Sequence, residues 1–310
     1  MPDASQTPAA GAGLHSISAP DGTLAIVAMD QRNTLRRMLT EQGRPTDGAT
    51  IEAFKVDVVE ALSPVASAVL LDPQYGVPAV QRAGAMAAGC ATLVAVEPAE
   101  RASWQGEPRA GRDPELTARR VSEMGGDAVK LLVQLRPDRP HSAGQPDLVA
   151  EVVEVVREVV ADCAEAGVPS VIETLLYKLP GEHTIPHSRR AQLIAESARI
   201  LSETHPDLLK LEYPGDASGC RAVANAVTVP WAMLSAGMPF DDFLQAVVLA
   251  CEEGGACGFI AGRVYWKEAV ALDGADRKQF LASTGRARLE RSIATMSGRA
   301  RPWHEGLGSA

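Results

Sequence analysis

Apolar residues follow two alternating rhythms along this chain. Short, nearly continuous apolar runs at 23–30, 67–72, 92–97, 127–134, 170–177, 207–215, 230–237 and 257–263 read as strands. Between them lie stretches with apolar positions three and four apart, the spacing of one helical face. The clearest is 49–63, with Ile51, Phe54, Val58 and Leu62 on one side. Others are expected near 79–88, 114–124, 147–166 (stopped by Gly167), 188–203, 217–226 and 240–253, with a charged terminal helix at 275–296. Residues 98–113 and 136–146 are charged and rich in Gly and Pro, and read as long loops.

Apolar runs without polar alternation suit strands buried on both faces of a parallel sheet. Eight βα units in 310 residues match a (β/α)8 TIM barrel, an α/β fold. The rival is a doubly wound open sheet, but no G-x-G-x-x-G follows the first strand. The expected organisation is a loose tail over 1–15 and a single barrel domain over 16–310.

Two of the strands carry an anomaly. Lys210 sits in the middle of Asp207-Leu-Leu-Lys-Leu-Glu-Tyr-Pro-Gly215, and Lys130 in the middle of Asp127-Ala-Val-Lys-Leu-Leu-Val-Gln134. The chain has only 6 lysines, so two inside apolar strands is not scatter. A buried ammonium is costly unless it is paired or loses its proton. A neutral lysine amine is a nucleophile towards carbonyls. Such a lysine needs its pKa brought from about 10.4 to roughly 7, worth about 4–5 kcal/mol, and both burial and a nearby ammonium push that way.

In a barrel, functional groups gather at the carboxyl ends of the strands. Asp30, Asp72 and Glu97 end strands one to three, while Lys130, Glu173 and Lys210 lie in the adjacent strands four, five and six. Side chains alternate along a strand, so inward faces would bring two amines and a carboxylate together. They read either as buried ion pairs or as a Schiff-base centre in which Glu173 shuttles protons and Asp30 holds a lysine or a substrate hydroxyl. At the ends of strands seven and eight, Leu234-Ser-Ala-Gly237 and Ala261-Gly-Arg263 are small-residue turns, the second with a guanidinium, and together they suit a phosphate ester.

Composition narrows the partners. A formal charge of −9 speaks against nucleic-acid and anionic-membrane binding. The 5 cysteines contain no C-x-x-C and read as reduced thiols in packed positions. The N-terminus lacks the basic and apolar regions of a signal peptide, and no apolar stretch approaches a membrane span. A cytoplasmic enzyme is expected. His183, His187 and His205 fall in loop or helix-flanking stretches and read as surface histidines, with no metal site expected.

Between residues 22 and 296 the chain resembles the class I aldolases of the tagatose-1,6-bisphosphate aldolase family, which includes sulfofructosephosphate aldolases. The resemblance rests on Ala28-Met-Asp-Gln-Arg32, Leu71-Asp-Pro-Gln-Tyr-Gly76, Asp127-Ala-Val-Lys-Leu-Leu132, Ile172-Glu-Thr-Leu175, Leu209-Lys-Leu-Glu212, Leu234-Ser-Ala-Gly237 and Gly262-Arg-Val-Tyr-Trp266. It implies that Lys210 is the Schiff-base lysine, assisted by Lys130, Glu173 and Asp30. Ser235, Gly237, Gly262 and Arg263 would hold the phosphate of dihydroxyacetone phosphate, and Gln31 and Arg32 would add to substrate binding. No cofactor or metal is implied, the partner is a sugar phosphate, and a homo-oligomer (dimer or tetramer) is expected. The loops 98–113, 136–146 and 178–187 diverge from the family pattern. Arg32, Arg136 or Lys178 could meet a distal phosphate or sulfonate there, and each also reads as a solvated surface charge. Two further readings stay open: a deoxyribose-phosphate-type aldolase or other Schiff-base lyase or transferase, and a non-catalytic sugar-phosphate sensor.

Overall fold

The computed structural model describes residues 13–305. Eight strands form a closed barrel: β1 (Leu24–Met29), β2 (Ala68–Leu71), β3 (Ala91–Ala95), β4 (Ala128–Gln134), β5 (Ser170–Leu175), β6 (Leu208–Glu212), β7 (Trp231–Leu234) and β8 (Gly258–Ala261). All neighbours run parallel in chain order, and β8 closes on β1 with Leu24 opposite Gly258 and Val27 opposite Ala261. Most strands end before the apolar runs suggest. Asp30, Asp72, Glu97 and Arg263 all lie beyond the ladder; the side chains of Asp30, Glu97 and Arg263 line the mouth of the barrel, whereas Asp72 is buried against Lys55 of the second helix in the chain.

The outer ring comprises α1 (Asn33–Glu41), α2 (Gly48–Leu62), α3 (Gly76–Ala83), α4 (Ala118–Glu123), α5 (Leu148–Ala166), α6 (His187–Ser202), α7 (Ala217–Ala226), α8 (Phe240–Glu252), a one-turn α9 (Arg263–Trp266), α10 (Gly274–Phe280) and α11 (Arg286–Met296). Local chemistry fixes their ends: the Asp147 carboxylate caps α5 by accepting from Val149 and Ala150 N–H, and Gly167 closes it in the left-handed region at φ 67°. The single terminal helix expected at 275–296 is instead α10 and α11 joined by a π-helical turn at Leu281–Gly285. There Gly285 packs closely against the Tyr265 carbonyl: a Cβ would stand 3.1 Å from its oxygen.

The strands bury both faces. One cluster, including Val27, Val69, Val94, Val129, Ile172 and Leu209, faces the helices. The other, including Ile26, Leu70, Leu93, Ala128, Val171, Leu208 and Ile260, fills the barrel. Leu14, Ile17 and Trp303 join that inner cluster, so both ends of the described chain pack onto it. Most of the tail expected over 1–15 lies outside the described residues, but Leu14 is buried in a short 3-10 turn, Leu14–Ser16.

The barrel seam depends on one glycine. Gly258 has φ +135°, and a Cβ there would stand 2.0 Å from the Leu24 carbonyl oxygen. Gly258→Ala is therefore expected to destabilise the protein by about 3 kcal/mol or more, through backbone strain and loss of the β1–β8 contact. Urea unfolding of the two proteins measures it.

Candidate active site

The inward positions of the central strands change character from bottom to mouth. In β4 they pass from Ala128 to Lys130, in β5 from Val171 to Glu173, and in β6 from Leu208 to Lys210. Glu173 pairs in register with Lys210, whereas Lys130 pairs with Val171, two residues deeper. Its long side chain rises to the level of the carboxylates at the strand ends.

Lys130 is fully buried, and its Nζ lies 2.8 Å from each of Asp30, Glu97 and Glu173. The ammonium donates to Asp30 and Glu97, and Glu173 completes the ring of carboxylates as an ion pair. Burial works against its charge, but Asp30, Glu173 and Glu97 together hold its pKa well above the ordinary lysine value. Burial alone would raise the Asp30 and Glu173 carboxyls, yet Lys130 and Lys210 hold both below their usual range. Lys210 is 3% exposed and has a single carboxylate partner in the cluster, the same Glu173 Oε2 at 2.9 Å. The centre thus holds two amines among three carboxylates, bridged by one oxygen of Glu173.

A cleft of about 480 Å³ opens above this cluster. Asp30, Lys130, Glu173 and Lys210 form its base, and Gln31, Arg32, Arg101 and Arg263 line its walls. The Arg32 guanidinium donates to the Glu97 carbonyl at 2.8 Å. The Gln31 side-chain oxygen is buried without a protein partner. At the other side, Ser235 is buried, Ala236 and Gly237 follow with φ +47° and +79°, and the Arg263 guanidinium lies against Gly237. Burial lowers the Arg263 pKa, offset by Glu173 and Asp30 acting from a distance. Gly262 is obligatory in another sense: a Cβ there would stand 1.9 Å from the Ala28 carbonyl oxygen. Asp30, Gln31, Arg32, Lys130, Glu173, Lys210 and Arg263 line the cleft, whereas Ser235, Gly237 and Gly262 follow β7 and β8 at the same end of the barrel without lining it, and Gly237 borders a neighbouring pocket that shares Arg263.

The loop cations divide. Arg136 is 3% exposed and is spent on Asp138, Glu182 and the Tyr177 carbonyl. Lys178 is exposed and contacts only the His183 carbonyl. Neither lines the cleft. Arg139 forms a bidentate pair with Glu107 at 2.8 and 3.1 Å, and the Tyr177 hydroxyl donates to the same carboxylate at 3.0 Å. These contacts tie together the loops after β3, β4 and β5. Arg101, in the first of those loops, is the cleft cation that periodicity did not single out; its nearest partner is Gln134 at 2.8 Å. Glu97 was visible as a strand-ending acid, but not as a ligand of Lys130.

Four of the five cysteines are packed. Cys163, Cys220, Cys251 and Cys257 are buried and free. Burial pushes the Cys163, Cys220 and Cys251 thiols up to about 12. Among the described residues, no group of three His, Cys, Asp or Glu is arranged to hold a metal ion, and no helix is long and apolar enough to cross a membrane.

A closed parallel barrel with buried amines and acids at its C-terminal mouth defines a (β/α)8 enzyme. Residues 24–268 match the model of the DeoC/LacD family aldolases, and the chain belongs to that family: it is an aldolase, a lyase. It is 26% identical to a tagatose 1,6-diphosphate aldolase of Streptococcus agalactiae, over 94% of this chain and 97% of that one. It is 28% identical to that of Staphylococcus haemolyticus, over 84% and 86%. Among solved structures the fold matches a Schiff-base-forming fructose-1,6-bisphosphate aldolase, with TM-score 0.60, 19% identity, and 90% and 98% of the two chains covered. It also matches the fructose-bisphosphate aldolase of Plasmodium falciparum, with TM-score 0.68, 10% identity, and 92% and 93% covered.

The ion cluster links stability to acid. Asp30 and Glu173 have folded pKa values below their unfolded ones, so the unfolded chain binds more protons. Their stabilisation is present above about pH 4.3 and is lost as pH falls through the folded values. Between pH 5 and pH 2 the wild-type protein should lose more unfolding free energy than Asp30→Asn does, as measured by urea midpoints along the series.

Proposed function

We propose that this chain is a class I aldolase that reversibly cleaves a ketose phosphate into dihydroxyacetone phosphate and an aldehyde through a Schiff base on Lys210. The observation that carries the reading is the unequal partnering of the two buried amines. Lys130 is saturated by three carboxylates at 2.8 Å and serves as a fixed cation. Lys210 has only Glu173 and borders the cleft. The tagatose 1,6-diphosphate aldolases among its relatives support a ketose bisphosphate as substrate.

In this reading the Lys210 amine attacks the C2 carbonyl of the ketose. Glu173 relays protons while water leaves the carbinolamine and the iminium forms. The iminium accepts the electrons of the C3–C4 bond as Glu173 takes the C4 hydroxyl proton and the aldehyde departs. The enamine is protonated at C3, and water then hydrolyses the iminium to release dihydroxyacetone phosphate. Glu173 starts as a weak base because two ammoniums surround it. As the C3–C4 bond breaks, the cationic iminium becomes a neutral enamine, so only Lys130 still opposes protonation and Glu173 grows more basic as it accepts the C4 hydroxyl proton.

The walls suit a substrate with an anion at each end. Ser235, Gly237, Gly262 and Arg263 are assigned to the donor phosphate. Arg32 and Arg101 stand on the other walls, where a distal phosphate or sulfonate would lie, and the unpartnered Gln31 oxygen faces a substrate hydroxyl. The reading is metal-independent: the cation among the three carboxylates is the ammonium of Lys130.

Incubation with dihydroxyacetone phosphate and borohydride, followed by peptide mapping, should place the reduced adduct on Lys210. An adduct on Lys130, or none, would contradict the assignment. In a panel of tagatose 1,6-bisphosphate, fructose 1,6-bisphosphate and sulfofructose 1-phosphate, at least one should be cleaved at a rate unchanged by a chelator. Acceptance of acetaldehyde instead of dihydroxyacetone phosphate would favour a deoxyribose-phosphate-type enzyme, and binding without turnover a sensor. Arg263→Ala should raise KM for the cleaved substrate by about 10–100-fold, the loss of about 1.4–2.8 kcal/mol of charge-assisted binding.

A further inference from the structure

A second buried ion pair lies beside the centre, and the reaction steps above leave it without a task. Lys55, on the inner side of α2, is fully buried. Its ammonium meets the Asp72 carboxylate at 2.7 Å, and Asp72 is equally buried. It also donates to the Met29 carbonyl at 2.7 Å and the Gln31 carbonyl at 3.0 Å. Those two carbonyls flank Asp30. The ammonium thus donates two hydrogen bonds to the backbone either side of an acid that holds Lys130, and is balanced by the Asp72 charge.

Asp72 is itself fixed. One of its oxygens accepts from the N–H groups of Gln74 (3.1 Å) and Tyr75 (2.8 Å), and the other from Gly76 (3.1 Å) at the start of α3. The chain of contacts therefore runs from the β2–α3 turn through Asp72 and Lys55 to the backbone around Asp30, and from Asp30 to Lys130. Apolar packing of α2 would not require any of this. A buried pair of charges is a poor source of stability compared with apolar residues of the same volume.

We propose that Lys55, held by Asp72, is a positioning residue of the aldolase: it fixes the end of β1 so that the Asp30 carboxylate stays on Lys130 and at the base of the cleft. Lys55 touches neither substrate nor the reacting atoms, and acts through Asp30. The inference rests on the Schiff-base reading of the site. Preorganisation of this kind acts on the chemical step more than on substrate affinity.

The test is a mutant cycle on the full-length enzyme. Lys55→Met and Asp72→Asn are made together, because removing one charge alone leaves its partner buried and unpaired. The pair variant should lower kcat by about 30–100-fold, leave KM within about threefold, and still give the borohydride adduct on Lys210. Introduced into Asp30→Asn, the same pair should change kcat by less than about threefold, since the residue through which it acts is already disabled. Asp72→Glu alone, which keeps both charges but displaces the carboxylate, is the milder variant should the pair not fold. It weakens the hold on Lys55 without emptying the site, and should lose about three- to tenfold in kcat, again masked by Asp30→Asn. Full kcat in the variants, or an equal loss in both backgrounds, would reduce Lys55 to a packing element and overturn the inference. Absence of any Lys210 adduct in the wild-type enzyme would instead overturn the Schiff-base reading, and the inference with it.

Discussion

The ammonium of Lys130 is the contact on which the mouth of this barrel depends. It gathers acids from beyond β1 and β3 and from within β5 onto one nitrogen. Removing it would leave three carboxylates within a few ångströms of each other in a water-poor site, where at least one would have to take up a proton. With it in place the carboxyls of Asp30 and Glu173 are held below their usual range, and Glu173 reaches across to Lys210. The barrel brings the acids together, and Lys130 offsets the cost of keeping Asp30 and Glu173 charged there. A buried ion cluster is a poor source of stability beside apolar residues of the same volume, so the arrangement is better understood as a means of fixing protonation states and positions.

Around this cation the architecture divides its work. Below, Ala128, Val171 and Leu208 seal the barrel with apolar side chains. Beside it, Lys55 and Asp72 grip the end of β1. Above it, the loops after β3, β4 and β5 are joined by Glu107, Arg139 and Tyr177. Trp104 lies under the Arg139 guanidinium, 5.3 Å from its ring centre. Cations that looked free to meet a substrate, Arg136 above all, are consumed in holding those loops together, which leaves Arg32, Arg101 and Arg263 facing the cleft.

The barrel was legible because its signal is repeated eight times: each apolar run and each helical stripe points to the same layered solution. Lys130 and Lys210 were legible because an ammonium in an apolar strand violates the local pattern. Lys55 violates a pattern too, since it falls on the stripe formed by Ile51, Val58 and Leu62, but a lysine on a helix is so commonly an exposed one that its burial does not stand out. The partnership of Glu97 with Lys130 could not be read, because it depends on how far apart two strand ends lie after closure of the barrel. The fate of Arg136 depended on Glu182, 46 residues away in another divergent loop. The π-helical turn at Leu281–Gly285, where Gly285 packs against the Tyr265 carbonyl, leaves no mark in the periodicity of the helix.

Whether the two buried amines differ as their surroundings imply is open to direct observation. Competitive acetylation at pH 8, with each lysine followed by mass spectrometry in the native enzyme, reads the nucleophilicity of both in one experiment. Lys210 should react at least about 100-fold faster than Lys130, whose charge is fixed by three carboxylates. Equal reactivity, or a faster Lys130, would contradict the assignment of one amine to chemistry and the other to holding the site.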